Sequence, residues 1–163
     1  MDGVVVFILV VGVGSTIVLD LWAWLVAKTT GMAGTDWGVV GRWLLDIPKG
    51  RLVLDSRPDR PAPGGREKIV GWLFHYLVGL AYAMLILLIW GVDYIADPQV
   101  MPVFWVGVVI SSLAGLLILM PGLGGGVLGR KLPNQAVLIV YVIIAHIAFA
   151  AGQYAFANLV ASF

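Results

Sequence analysis

Three side chains combine an ionisable group with a long apolar setting: Asp20, His75 and His146. A carboxylate and two imidazoles turned toward one another make a proton relay, because imidazole changes charge near neutral pH and a buried acid can take up or release the proton. Thr16 stands one helical turn before Asp20, on the same face, and Tyr76 is counted with Asp20, His75 and His146 in the expected buried polar site. Two histidines on different helices are also the minimum for holding haem or a metal ion between them. Hydrolysis is the least favoured chemistry: Ser15 lies five positions from Asp20, on another face of the same helix, and completes no Ser–His–Asp arrangement.

These groups meet only if the elements that carry them approach closely. Residues four apart stack on one helix face, and the chain repeats one device at that spacing. Gly71, His75, Gly79 and Ala83 form a stripe of small residues with one imidazole in it. Gly12, Thr16 and Asp20 form another, Gly107, Ser111 and Gly115 a third, and His146 and Ala150 a fourth. Each stripe runs along an otherwise apolar cylinder, as at close helix crossings in membranes. The pattern predicts four membrane helices around a shared polar interior.

Composition agrees. Of 163 residues, 61% are hydrophobic and 12% charged, with a mean hydropathy of +1.00, well above ordinary soluble domains and consistent with one membrane domain in contact with a lipid bilayer. Cysteine is absent, which excludes disulfides, thiolate zinc sites, iron–sulfur ligation and a cysteine nucleophile. A net charge of +1 and no basic surface interleaved with stacking aromatics argue against nucleic acid.

The predicted fold is all-α, with four transmembrane helices in a compact bundle at about 3–28, 69–91, 102–120 and 135–160, each long enough for roughly 30 Å of hydrocarbon. The first lacks the basic start and short apolar core of a signal peptide and is expected to be retained. Within the long loop, 29–68, Asp36 can cap a short interfacial helix whose Val39, Val40, Trp43, Leu44 and Ile47 share one face, ending at Pro48. The Pro, Gly and charge cluster from Ser56 to Glu67 predicts a solvated loop. Trp90 and Tyr94 read as an interfacial aromatic pair before a turn at Asp93, Asp97 and Pro98. Gly124, Gly126 and Gly129 match the dinucleotide pattern GxGxxG, but no strand precedes them, so a turn is expected there.

Basic residues fix an expected orientation. Lys28, Arg42, Lys49, Arg51, Arg57, Arg60, Arg66 and Lys68 belong to the first connection, and Arg130 and Lys131 to the third. All ten fall on one side, which the positive-inside rule makes cytoplasmic, leaving both termini outside. Asp20 then lies roughly 12 Å, His75 roughly 9 Å and His146 roughly 16 Å from the cytoplasmic ends of their helices. A carboxylate near mid-membrane costs about 2.5–3.5 kcal/mol, so Asp20 requires a partner, with His75, His146 and the loop residue Arg42 available. Thr16, Ser111 and Ser112 are expected to bond to carbonyls of their own helices.

Gly14-Ser15-Thr16 with Asp20-Leu21-Trp22, Gly41-Arg42-Trp43, Gly50-Arg51, Glu67, Gly71-Trp72, His75-Tyr76 and Gly79, followed by Pro121, Gly124, Gly126, Pro133 and His146, resembles the bacterial integral-membrane family catalogued as domain of unknown function 2938. The resemblance covers nearly the whole chain. It implies a four-helix bacterial membrane protein and supports the choice of Asp20 and His75, while supplying no substrate; with the orientation read from the basic residues, the expected location is the bacterial inner membrane, multi-pass with periplasmic termini. Family members often carry histidines where this chain has Leu45-Asp46 and Leu54-Asp55, and a glutamine where Met120 precedes Pro121.

The expected function is that of a small proton-linked or small-solute transport protein with a buried Asp/His site. Four helices make a thin wall, so a homodimer or larger membrane assembly is expected. The alternatives are a structural or assembly partner of another membrane protein, and a haem- or metal-binding subunit using His75 and His146.

Overall fold

The computed structural model describes residues 2–55 and 61–163. The part of the expected solvated loop at 56–60 lies outside them. Among the described residues there is no strand. Five helical elements follow in order: α1 (Asp2–Thr30), α2 (Trp37–Asp46), α3 (Gly65–Trp90), α4 (Val100–Gly122) and α5 (Gln135–Ala161). The apolar stretches of α1, α3, α4 and α5 hold 28, 26, 23 and 27 residues, and these four helices are long and apolar enough to cross a membrane. At 1.5 Å per residue they reach roughly 35–42 Å, beyond the hydrocarbon thickness. Their outward side chains are apolar as well, with Leu21, Leu88, Ile118 and Val140 all exposed, as lipid requires.

Local chemistry sets the helix ends. At α1, Thr29 and Thr30 return their hydroxyls to the carbonyls of Leu25 and Val26, and Gly31 closes the helix in the left-handed region. At α2, Asp36 caps as expected, its carboxylate accepting from the N–H of Gly38 at 2.8 Å and of Val39 at 3.3 Å. A 3₁₀ turn over Ile47–Lys49 follows, carrying Pro48 at its start.

Helix α3 corrects one expectation. Gly65, Arg66 and Glu67 were assigned to the loop, yet they form the first turn of this helix. Glu67 reaches back to accept the N–H of Gly64 at 2.6 Å, and the Lys68 N–H donates to the Gly64 carbonyl at 3.0 Å. This is one arm of a capping box, and with glycine in place of serine or threonine at its head the sequence pattern is easily passed over.

Helix α4 departs from regular geometry: Phe104–Ile110 and Gly115–Leu119 are π-helical. Beyond α3 lies Tyr94, expected to form an interfacial aromatic pair with Trp90. It is buried, its ring edge-on to Phe7 at 5.9 Å and its hydroxyl donating to the Gln99 carbonyl at 3.1 Å; its partner in the expected pair, Trp90, is exposed. The glycine-rich segment forms tight turns, in which the N–H groups of Gly124, Gly125 and Gly129 donate to the carbonyls of Pro121, Met120 and Gly126.

The chain divides into two compact units. The first comprises Met1–Gly34, Tyr76–Ser112 and Ile143–Phe163, the second Thr35–His75 and Leu113–Val142. Phe7, Val11, Ile86, Val106 and Ala157 centre the core of the first. The second has a smaller core of Val40, Trp43 and Leu54, joined by Phe74 and Leu119.

Candidate functional site

In the first unit, α1 meets α3 along the expected small-residue stripes. A side chain at Gly79 would strike the Thr16 hydroxyl and the Gly12 carbonyl, and one at Gly12 would strike Leu80, so the two backbones lie in close contact there. Thr16 keeps its hydroxyl on its own helix, donating to the Gly12 carbonyl at 2.7 Å, and Ser15 does the same toward Val11 at 2.6 Å. Further along the same crossing, the Tyr76 hydroxyl donates to Oδ2 of Asp20 at 3.0 Å. An acid inside an apolar helix has thus gained a neutral donor from the neighbouring helix, which offsets part of its desolvation.

The contact of α4 with α5 carries the other polar groups of this unit. Ser112 Oγ and His146 Nδ1 share a hydrogen bond of 3.1 Å. Ser112 was expected to bond within its own helix; Ser111 does so, toward the Gly107 carbonyl at 2.5 Å, while Ser112 instead serves the imidazole. Gly107 packs against Ala150 and the side-chain amide of Gln153, where any side chain would collide with both. Gln153 is fully buried, and neither its Nε2 nor its Oε1 has a hydrogen-bond partner. Gly115, further along α4, is half-buried.

The second unit holds His75 and Arg42. Helix α2 lies against the start of α3 with backbone nearly on backbone: a side chain at Gly71 would meet the Trp37 carbonyl, and one at Gly41 the Glu67 carbonyl. That closeness brings the Trp37 indole onto the His75 ring, stacked at 3.8 Å with 20° between planes, and Trp72 approaches the same imidazole edge-on at 5.8 Å. Arg42 grips Glu67 with two bonds, Nε at 2.7 Å and an Nη at 3.1 Å, and gives that Nη also to the Pro61 carbonyl at 2.9 Å. Donating to the Glu67 carboxylate pushes the Arg42 guanidinium above its already high range, against the opposing effect of burial. Behind it, Trp43 donates its indole N–H to the Leu52 carbonyl at 2.9 Å and covers Gly122, whose carbonyl accepts the Leu54 N–H at 2.7 Å.

The family described as "Protein of unknown function (DUF2938)" matches residues 9–160. The chain belongs to this family. No curated protein and no solved structure matches it. The match to DUF2938 takes in every hydrogen bond described above, from Ser15 with Val11 to Ser112 with His146, and the buried Gln153 as well. Among the described residues of this DUF2938 chain, no group of three or more His, Cys, Asp or Glu is placed to hold a metal ion.

Three participants carried no role in the sequence. Trp37 lies outside every motif named in the sequence. Glu67 was assigned to a loop. Gln153 falls seven positions after His146 and three after Ala150, on the same helix face, and that spacing is the signal by which it could have been found.

Proposed function

We propose that this DUF2938 protein is a membrane protein of transport type that moves protons, alone or with a small solute, through a polar interior built on Asp20 and His146. The hydrogen bond from Tyr76 to Asp20 carries the proposal. A packing contact there has no need of an ionisable acceptor, since an asparagine would take the tyrosine proton without the insertion cost of a carboxylate, about 2.5–3.5 kcal/mol at mid-membrane. An acid kept at such a place is suited to exchanging protons. His146 on α5, bonded to Ser112, supplies a second ionisable group. The distribution of basic residues supports an orientation with 29–68, Arg130 and Lys131 on the cytoplasmic side of a bacterial inner membrane. A homodimer fits the thin wall of four helices.

A second reading, in which the polar stripes only set helix register for assembly with another membrane protein, draws on the hydroxyls of Ser15, Thr16 and Ser111, all spent on their own helices, and on the exposed Trp24, Trp72 and Trp105.

Proteoliposomes with an internal pH dye and a potassium diffusion potential separate the two. Proton entry above that of empty vesicles, falling about tenfold in Asp20→Asn and in His146→Gln, is the expected result. Entry equal to empty vesicles, or entry unchanged in both variants, would overturn the transport proposal. Co-purification of a defined partner in mild detergent is the result expected of the assembly reading.

A further inference from the structure

Gln153 sits on α5 in the middle of an apolar helix and is completely enclosed. A primary amide has two N–H donors and a carbonyl acceptor and carries no charge. In this structure the protein satisfies neither end of it. Buried polar side chains almost always have partners, and the exceptions call for a reason. Nearby backbone does not reach it: the Gly107 carbonyl, on the facing turn of α4, receives the Ser111 hydroxyl at 2.5 Å and no bond from the amide.

The surroundings of the amide are equally particular. Gly107 is the residue against which Oε1 rests, and a Cβ there would take its place. Gly107 also lies inside the π-helical run Phe104–Ile110. A π turn is wider than an α turn, is rare, and recurs at functional sites. An unsatisfied amide therefore faces the one residue without a side chain in an irregular stretch of the neighbouring helix, where the backbone can give without breaking a regular hydrogen-bond ladder.

We propose that Gln153, against Gly107, is the binding residue of an intramembrane site for a small neutral molecule that presents a hydrogen-bond donor and acceptor side by side. Water is the smallest member of that class, and small amides are the next. An uncharged site suits an uncharged ligand, because the amide complements a donor–acceptor pair and offers nothing to balance a full charge. The amide swings off Gly107 to receive the molecule, and the π-helical turn of α4 accommodates the shift. The site does not depend on Asp20 or His146 changing charge, so it stands or falls apart from proton movement.

X-ray radiolytic labelling of the full chain in nanodiscs, in ¹⁸O-water, tests it, because radicals born from bound water mark the side chains beside it. Label on peptides covering 103–110 and 149–157 is expected to exceed that in Gln153→Leu and Gln153→Met by about fivefold. Both substitutions are apolar and of similar size, and a thermal melt no lower than wild type shows that they fold. Protection of these peptides by excess acetamide would assign the site to small amides as well; label unaffected by acetamide would assign it to water. Wild-type peptides without label, or equal label in folded variants, would overturn the site and leave Gln153 as packing.

Discussion

Tyr76 and Asp20, 56 positions apart in the chain, are joined side chain to side chain across α1 and α3 by a hydrogen bond of 3.0 Å. The contact lies near a close approach of the two helices, where Gly79 rests on Thr16 and Gly12. Packing and polarity therefore act at one place: the glycines bring the backbones together, and the approach brings the phenol within reach of the acid.

Replacing Tyr76 by Phe keeps the ring and removes the donor. Interhelical hydrogen bonds in membranes are worth about 0.6 kcal/mol on average and up to about 1.7 kcal/mol, so Tyr76→Phe is expected to lower stability by about 1 kcal/mol. Asp20→Asn retains an acceptor and sheds the insertion cost of a carboxylate, and is expected to be neutral or stabilising. Unfolding of both variants by denaturing detergent, followed by tryptophan fluorescence, checks the order.

The contact between α2 and α3 depends on two residues having no side chain. A methyl at Gly71 would drive into the Trp37 carbonyl, and backbone cannot turn aside as a side-chain tip can. Gly71→Ala is expected to destabilise by about 1–3 kcal/mol, the usual range for overpacking, and to separate Trp37 from His75, visible as a change in tryptophan emission. Gly65, with nothing near its Cβ direction and in the first turn of α3, provides the contrast. Gly65→Ala is expected to be neutral or to stabilise by up to about 1 kcal/mol through helix propensity.

Arg42 and Glu67 are partly shielded, their side chains 13% and 24% exposed. Charge-assisted bonds contribute about 1.5–3 kcal/mol when well enclosed and less when water competes, so Arg42→Ala is expected to cost about 1–2 kcal/mol. Arg42→Lys keeps the charge but cannot span both carboxylate oxygens and the Pro61 carbonyl with one planar group. It is expected to recover less than half of the loss, and proteolytic cutting near 61–64 is expected to speed up in both variants.

Much of this architecture was legible in the amino-acid order, because the strongest physical signals are local. Apolar runs longer than a bilayer is thick mark α1, α3, α4 and α5, and Asp36 ahead of an apolar face marks α2. The small-residue spacing marks Gly12 and Thr16 on one stripe and Gly79 on another, and these are residues at which α1 and α3 touch. It did not reveal that the α3 stripe serves two helices, Gly71 taking α2 and Gly79 taking α1, because periodicity identifies a face and not what covers it. The fates of Ser112, Tyr94 and Gln153 were hidden for the same reason: each depends on residues distant in sequence. The π-helical stretches of α4 had no local mark beyond Gly107 and Gly115.

Tyr94 makes the pH dependence of stability testable. Burial, and to a lesser extent the nearby Tyr154, pushes its phenol from 10.0 up to about 12. An unfolded chain releases this proton near pH 10, whereas the folded chain holds it until about pH 12, so between those values the unfolded state binds fewer protons and the slope of stability against pH is negative. Stability is fully present below pH 10 and is lost as the pH rises toward 12, by on the order of 2–3 kcal/mol. Tyr94→Phe keeps the edge-on contact with Phe7 and removes the titrating group, at the cost of the bond to the Gln99 carbonyl. Thermal unfolding in detergent micelles from pH 9 to 12 is expected to show a steep fall in wild type and a distinctly shallower one in Tyr94→Phe, the two curves converging as the pH approaches 12. Parallel curves would mean that the alkaline loss originates in other groups and that Tyr94 reaches solvent before the chain unfolds.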